Sequence, residues 1–456
     1  MKNSLHIHKN KKILLLDFAA EKNRGDAVMQ MAMVKLTKKY FPDSKLTVST
    51  VFGYNQFPEC LSQFDHTDSI EGLGFVGGLL QTNETFVQSE QRDKRSKYKK
   101  IVKLLAGVWF LCVVVLRLPV RFSHFFRSSQ FEDAWNVFTS TDLVIWNGRN
   151  FRSHSFYKEP YDIFVLLFNP LVCVFLKKPI ACIGASVWEI QNPISRILLR
   201  FVFRRTFFIS VREEKSLKNI QKIIPIKKNT TPLVMHLPDL SFVMLNQYRN
   251  EIKDEVIDDV QNARMRIGLT VVGRREIGSG ELFRTYTTAV NRLMMHIVEK
   301  CDAHIYVIPQ VTYGPEANGE AIEAVFAGVA PSAYTVKQED MSVSQLLKEY
   351  NTLDFLVATR MHSAIFALSV GTPVMAISYD SGAKWNILLE MGLPVEALLS
   401  AIDLKEIDLI SRFTQLKQNS KDIMREVDAR LQDTLIPEAE DHFQLLCSEY
   451  EKEKNK

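Results

Sequence analysis

The chain has 456 residues, of which 46% are hydrophobic and 24% charged, and its net charge is +5 at pH 7. These proportions are ordinary for a globular protein and exclude a disordered tail, a collagen and a coiled-coil rod. At roughly 150 residues per domain the length suggests two or three domains, and so mild a charge points to no nucleic-acid partner.

The six cysteines, Cys60, Cys112, Cys173, Cys182, Cys301 and Cys447, form no C-x-x-C and have no histidine at zinc-ligand spacing. They read as thiols in a reducing compartment, with no metal site. Met1 to Lys12 is polar and basic without an apolar core, so no signal peptide is expected and the predicted location is the cytoplasm.

Taken in chain order, Ile13 to Phe18 predicts a buried strand and Gly25 to Tyr40 a helix. Leu46 to Val51 predicts a second strand, which makes a βαβ opening. Leu143 to Trp146 and Ala181 to Gly184 are further strands. Asn192-Pro193 offers an N-cap and first-turn pair for a helix with Ile194, Ile197, Leu198 and Phe201 inward. Phe207 to Val211 is a strand and Arg212 to Ile223 a polar helix. Beyond these, Arg266 to Val272, His304 to Pro309, Tyr334 to Val336, Asp354 to Thr359 and Pro373 to Ser378 predict strands. Helices alternate with them, including Glu281 to Lys300, which turns Phe283, Tyr286, Val290, Leu293 and Ile297 to one side. Continuous apolar strands alternating with helices predict parallel sheets covered on both faces.

The expected fold class is therefore α/β, with two Rossmann-like domains facing a cleft. Residues 1–235 are expected to form the first domain, with an insertion at about 75–135. Residues 236–400 form the second, and 401–456 a C-terminal helical extension.

The segment 92–127 breaks the pattern. Arg92, Lys94, Arg95, Lys97, Lys99, Lys100 and Lys103 precede an uncharged run from Leu104 to Leu116, and Arg117, Arg121 and Arg127 follow it. The run is shorter than the ~20 residues a spanning helix needs. It reads either as a buried core helix or as a helix in the membrane interface with its basic residues on acidic headgroups. The basic flanks favour peripheral membrane contact.

The sharpest chemistry-bearing stretch is Ala358-Thr359-Arg360-Met361-His362-Ser363, where a strand ends and a helix begins. In open α/β sheets ligands bind outside the carboxyl ends of the strands. A helix N-terminus suits an anion, Arg360 adds a bidentate fork, and His362 can move a proton near neutral pH. The alternative is a surface ion pair at Arg360 and a backbone-bonded His362. Tyr379, Asp380 and Lys384 follow the next strand on the same edge. Asn23-Arg24-Gly25-Asp26 occupies a like position after the first strand, as either a ligand loop or a helix cap. Arg212 and Gly148 also follow strands. G-x-G-x-x-G, P-loop, G-x-S-x-G and H-E-x-x-H patterns are absent.

In order along the chain, Asn23 to Asp26, DLVIWNG (142–148), IGAS (183–186), ISVREEKS (209–216), Pro238-Asp239 and Thr359 to Tyr379 resemble the polysaccharide pyruvyl transferase family. The most specific piece is R-x-H before a helix ending in G-x-P. Gly148 stands alone where the family often has a longer glycine run, and about 74–132 has no recognisable counterpart.

The resemblance implies a fold of the glycosyltransferase-B type and transfer of a pyruvyl group from phosphoenolpyruvate to a sugar as a ketal. The acceptor would be a surface glycan or lipid-linked oligosaccharide, and the basic-apolar segment 92–127 would hold the protein at the inner face of the cytoplasmic membrane. It implies no cofactor, phosphoenolpyruvate being the donor substrate. The implied catalytic residues are His362 and Arg360. Arg212, from the first domain, with Ser363, Tyr379 and Lys384 of the second, would hold the donor in the cleft. Asn23, Gly25, Asp26 and Gly148 would meet the acceptor, on the side of the first. The competing expectation is a nucleotide-sugar glycosyltransferase on the same architecture.

Overall fold

The computed structural model describes residues 11–18, 24–50, 71–73, 94–118, 129–148, 150–151, 155–224, 232–253, 264–278, 280–309, 319–337, 341–379, 383–404 and 407–455. The chain divides into two compact units. The first takes Met1–Glu21, Met29–Leu240 and Glu438–Lys456, and the second Lys22–Val28 and Ser241–Pro437. Asn23 and Asp380 lie outside the described residues, as do Arg92, Arg121 and Arg127.

In the first unit the order is β1 (Lys12–Phe18), α1 (Arg24–Tyr40, whose residues 24–28 belong to the second unit), β2 (Lys45–Thr50), β3 (Glu71–Leu73), α2 (Lys94–Val115), α3 (Ser129–Ser140), β4 (Leu143–Asn147) and β5 (Asn150–Phe151). It continues with α4 (Glu159–Phe175), β6 (Ile180–Val187), α5 (Pro193–Phe203), β7 (Phe208–Val211), α6 (Glu214–Ile223) and β8 (Leu233–His236). The strands lie in the order β3-β2-β1-β4-β6-β7-β8, with β5 paired to β6. Every described pair is parallel. All residues of β4 and β6 are buried, as continuous apolar runs in a doubly covered sheet should be.

The second unit runs α7 (Ser241–Lys253), β9 (Met265–Leu269), α8 (Arg274–Ile277), α9 (Gly280–Lys300), β10 (Ala303–Val307), α10 (Gly319–Val325), β11 (Tyr334–Val336), α11 (Val343–Asn351) and β12 (Phe355–Ala358). Then come α12 (Met361–Ser369), β13 (Val374–Ser378), α13 (Asn386–Glu390), β14 (Leu398–Ser400), α14 (Leu409–Gln418) and α15 (Ser420–Arg430). Its sheet order is β11-β10-β9-β12-β13-β14, again with every described pair parallel. The last helix, α16 (Ile436–Lys454), lies almost wholly in the first unit. There Lys39 pairs with Glu440 at 2.8 Å, and the rings of Tyr40 and Phe443 are 6.1 Å apart.

Both sheets reverse strand order once, between β1 and β4 and between β9 and β12. This is the Rossmann topology, and the crevice at each reversal is where such sheets take ligands.

Two expectations need correction. The inward face of α5 is Ser195, Leu199, Val202 and Phe203, whereas Ile194 and Ile197 are exposed. That helix is apolar around most of its circumference, so the sheet beneath it selected the face. The sequence reading also passed over α4, whose near-continuous apolar run carries no helical period. Pro170 sits inside that helix, which buries Ile163, Leu167, Phe168 and Leu171. Over 104–116 the core-helix reading holds for one face of α2. Phe110, Leu111, Val113 and Val114 are buried, while Leu105, Val108, Trp109 and Val115 are exposed. Among the described residues no helix is long and apolar enough to cross a membrane.

Candidate functional site

At the switch point of the second sheet, β9 and β12 are joined beyond their last paired residues by two threonines. Thr359 N–H donates to Thr270 Oγ1 at 3.0 Å, and Thr359 Oγ1 donates to the Thr270 carbonyl at 2.6 Å. Tyr286 of α9 brings its hydroxyl to 3.5 Å from Thr359 Oγ1, and burial pushes that hydroxyl up to about 12, so it stays protonated. This polar stitching fixes the next residue, Arg360, in the N-cap position of α12. An arginine there has no acceptor to offer the first-turn N–H groups, so the helix end keeps its affinity for an anion.

Arg360 is nearly buried, and its fork is engaged bidentately by Glu276: Nη1 donates to Oε1, and Nη2 to Oε2 at 3.0 Å. Glu276 Oε2 also accepts the Gly273 N–H at 2.9 Å. The expected anion holder is thus held in place by a carboxylate that sequence reading missed. The available signal was Glu276 in a short helix after β9, on the same carboxyl edge as Arg360. Such a pair aims the guanidinium, and an incoming dianion has to share or displace the carboxylate.

His362 stands in the first turn of α12 and is half-buried. Gly25 of α1 packs directly on it: a β-carbon at residue 25 would lie 2.1 Å from Nδ1 and 2.3 Å from Cγ. The Arg24-Gly25-Asp26 and Arg360-Met361-His362 stretches, remote in sequence, therefore meet within one unit. Tyr379, at the end of neighbouring β13, has Lys384 Nζ at 3.4 Å from its hydroxyl and 4.9 Å from its ring centre. Ser363, in the first turn of the same helix as His362, is wholly buried.

Arg212 occupies the carboxyl end of β7 in the first unit, where it is buried. Its Nε donates to Ser186 Oγ at 2.9 Å, Nη2 to Asn150 Oδ1 at 3.0 Å, and Nη1 to Asp239 Oδ2 at 3.3 Å. Glu213 Oε1 is 3.4 Å from Nε and also takes the Ser186 hydroxyl, while its Oε2 takes Ser216 Oγ at 2.6 Å. Two carboxylates thus face one guanidinium. The guanidinium compensates one of the two negative charges, and the cluster ties together the ends of β5, β6, β7 and the turn after β8. The sequence reading singled out Arg212 as a candidate and gave Asp239 as part of the family resemblance. It missed Asn150.

At the switch point of the first sheet, Asp17 has the left-handed φ of 65° and is buried. Its oxygens accept Trp146 Nε1–H at 2.9 Å and Asn169 Nδ2–H at 2.6 Å. A non-glycine residue in this region costs on the order of 1–3 kcal/mol, and such strain gathers at functional sites. The lone acid in the apolar run of β1 was the sequence signal. Gly148 ends β4 with backbone on backbone: a β-carbon there would lie 2.4 Å from Ala185 N and 2.6 Å from the Ile183 carbonyl oxygen. Glycine at 148 is required for strand packing, whatever else it meets.

His442 of α16 is a further residue the sequence did not reveal. It is fully buried, with Nε2 at 2.8 Å from the Pro238 carbonyl and Nδ1 at 3.0 Å from Ser210 Oγ. The carbonyl only accepts, so Nε2 carries the hydrogen and Nδ1 accepts from Ser210. Ser210 Oγ in turn accepts the Gly184 N–H at 3.0 Å. One neutral imidazole therefore links the ends of β6 and β7 and the turn leading to Asp239. Burial lowers its pKa to about 4. Among the described residues no cluster of metal-ligating side chains occurs.

The family model described as Polysaccharide pyruvyl transferase matches residues 23–381. The amylovoran biosynthesis protein AmsJ of Erwinia amylovora is 24% identical over 340 residues, which is 69% of this chain and 75% of that protein. A glycosyltransferase from Rickettsia africae superposes with a TM-score of 0.54 at 9% identity, covering 97% of this chain and 98% of its own. An α,α-trehalose 6-phosphate synthase from Burkholderia multivorans superposes at 0.55 and 10% identity, covering 98% of both chains. Identities this low speak for the fold alone, two Rossmann-like domains of the glycosyltransferase-B kind. The matched span contains Arg24-Gly25-Asp26, Arg212, Arg360 and His362 and most of both sheets, and the chain belongs to the polysaccharide pyruvyl transferase family.

Proposed function

We propose that this protein transfers a pyruvyl group from phosphoenolpyruvate to a sugar of a surface polysaccharide or its lipid-linked precursor, at the inner face of the cytoplasmic membrane. The observation that carries the reading is the assembly at the β9–β12 switch point. There Glu276 holds the fork of Arg360, the N-cap residue of α12, and His362 in the first turn is packed by Gly25. Phosphoenolpyruvate has a phosphate and a carboxylate, which suits a helix N-terminus beside a guanidinium.

His362 is the candidate proton donor to the methylene carbon, which becomes the methyl group. The central carbon then takes electron density from a sugar hydroxyl. A second hydroxyl displaces phosphate by C–O cleavage and closes the ketal. Of the two hydroxyl protons, one balances the proton given to carbon and the other leaves with phosphate. Lys384 and Tyr379, on the neighbouring strand end, are candidates for the donor's second anionic group. Asp26 and Gly25 are candidates on the acceptor side. Positioning and charge stabilisation supply most of the rate in such a site.

The test is phosphate release from phosphoenolpyruvate in the presence and absence of a glycan acceptor. Acceptor-dependent release that drops at least a hundredfold in Arg360→Ala is the expected result; an unchanged rate in that variant would overturn the reading. Thermal stabilisation by a nucleoside diphosphate but not by phosphoenolpyruvate would instead support a nucleotide-sugar glycosyltransferase.

A further inference from the structure

Helix α2 has 22 residues and no acidic side chain, and six of its first ten residues are Lys or Arg. Its inner face is fully used. Phe110 lies edge-on to Trp135 of α3 at 5.8 Å and 6.2 Å from Phe168 of α4, and Leu111 and Val114 join the same core. The outer face is also apolar. Leu105, Val108, Trp109, Cys112, Val115 and Leu116 are exposed, with Leu105 at 62% and Leu116 at 64%. At about 100° per residue these six fall on one stripe about 120° wide. The helix stops on that face: Arg117 adopts φ 53°, and Leu118 N–H returns to the Val113 carbonyl at 3.0 Å.

A helix whose uncharged run is apolar on both faces, yet too short to span a bilayer, needs a second apolar medium on its outer side. The charge pattern selects which. A second copy of the chain would bring one strongly basic helix against another. An anionic lipid surface complements the basic turns, takes up the leucines and valines, and suits an indole at the headgroup level.

We propose that the outer stripe of α2, centred on Leu105, Trp109 and Leu116, docks the protein on anionic membranes. This deepens the reading above by naming the surface that brings the site to a lipid-linked acceptor. It rests on that reading only for the identity of the acceptor.

The experiment is cosedimentation of the full chain with phosphatidylcholine vesicles, with and without about one-third phosphatidylglycerol, for wild type and for Leu105→Glu/Trp109→Glu. Both changes are at exposed positions, and a thermal melt checks that the variant remains folded. The wild type is expected to bind the anionic vesicles at least tenfold better than the neutral ones, and the variant to lose at least tenfold of that binding. Equal binding of wild type and variant, or no wild-type binding, overturns the proposal. So does a concentration-dependent dimer in sedimentation equilibrium that the variant abolishes, which would make the occupant a second copy. The variant keeps phosphate release with a soluble acceptor. Vesicle binding needs no substrate, so failure of docking and failure of pyruvyl transfer are read separately.

Discussion

Gly25 lies against His362 so closely that a β-carbon on residue 25 would stand 2.1 Å from the imidazole Nδ1. No real contact is that short, so any side chain at 25 must push the ring aside. The ring is the movable partner, which makes activity more sensitive than the fold.

Gly25→Ala is therefore expected to lower turnover at least tenfold, while costing about 1–3 kcal/mol of stability, as overpacking does. Steady-state phosphate release beside a thermal melt measures both. Unaltered turnover would mean that His362 tolerates displacement and is no part of the chemistry.

Glu276 holds both arms of the Arg360 fork. In Glu276→Gln the shape is kept and the charge removed, so the guanidinium meets an incoming anion without competition but is less firmly aimed. The expected outcome is a KM for phosphoenolpyruvate that falls severalfold with a kcat that falls about tenfold or more. A parallel loss in both directions, with KM rising, would make Glu276 a plain structural support.

Arg212 answers to two buried carboxylates, Asp239 and Glu213. Removing it leaves them facing each other without compensation, and breaking a buried pair costs about 3–5 kcal/mol. Arg212→Ala should accordingly show a large drop in the urea midpoint, whereas Arg360→Ala should be read mainly in activity. A fully stable Arg212→Ala would contradict the buried pairing of this guanidinium with the two carboxylates.

His442 gives a pH dependence of definite sign. The free imidazole titrates near 6.5, and the buried one near 4. Between those values the unfolded chain binds the proton and the folded chain does not, so stability falls as pH is lowered. Its full contribution is present above about pH 6.5, and a separation of this size is worth on the order of 3 kcal/mol. Urea unfolding from pH 7 to 4.5 should show this slope in the wild type and a shallower one in His442→Gln. Superimposable slopes would remove His442 from the acid response.

The sequence by itself determined the repeating strand–helix order and the parallel sheets, because strands buried on both faces must be continuously apolar. It also determined where chemistry could sit: Arg360 and His362 follow an apolar strand and open a helix, and Gly25 and Arg212 occupy like positions. Only the tertiary structure decided who meets whom. Glu276 reaches Arg360 across 84 residues, and His442 reaches Ser210 across 232. Nothing local to either residue encodes that partner, since strand order in the sheet decides which loop ends adjoin. The same holds for faces. A helix with a clear apolar period, such as α9, shows its inner side in the sequence. One that is apolar nearly all round, such as α5 or the second half of α2, leaves the choice to the surface it packs against.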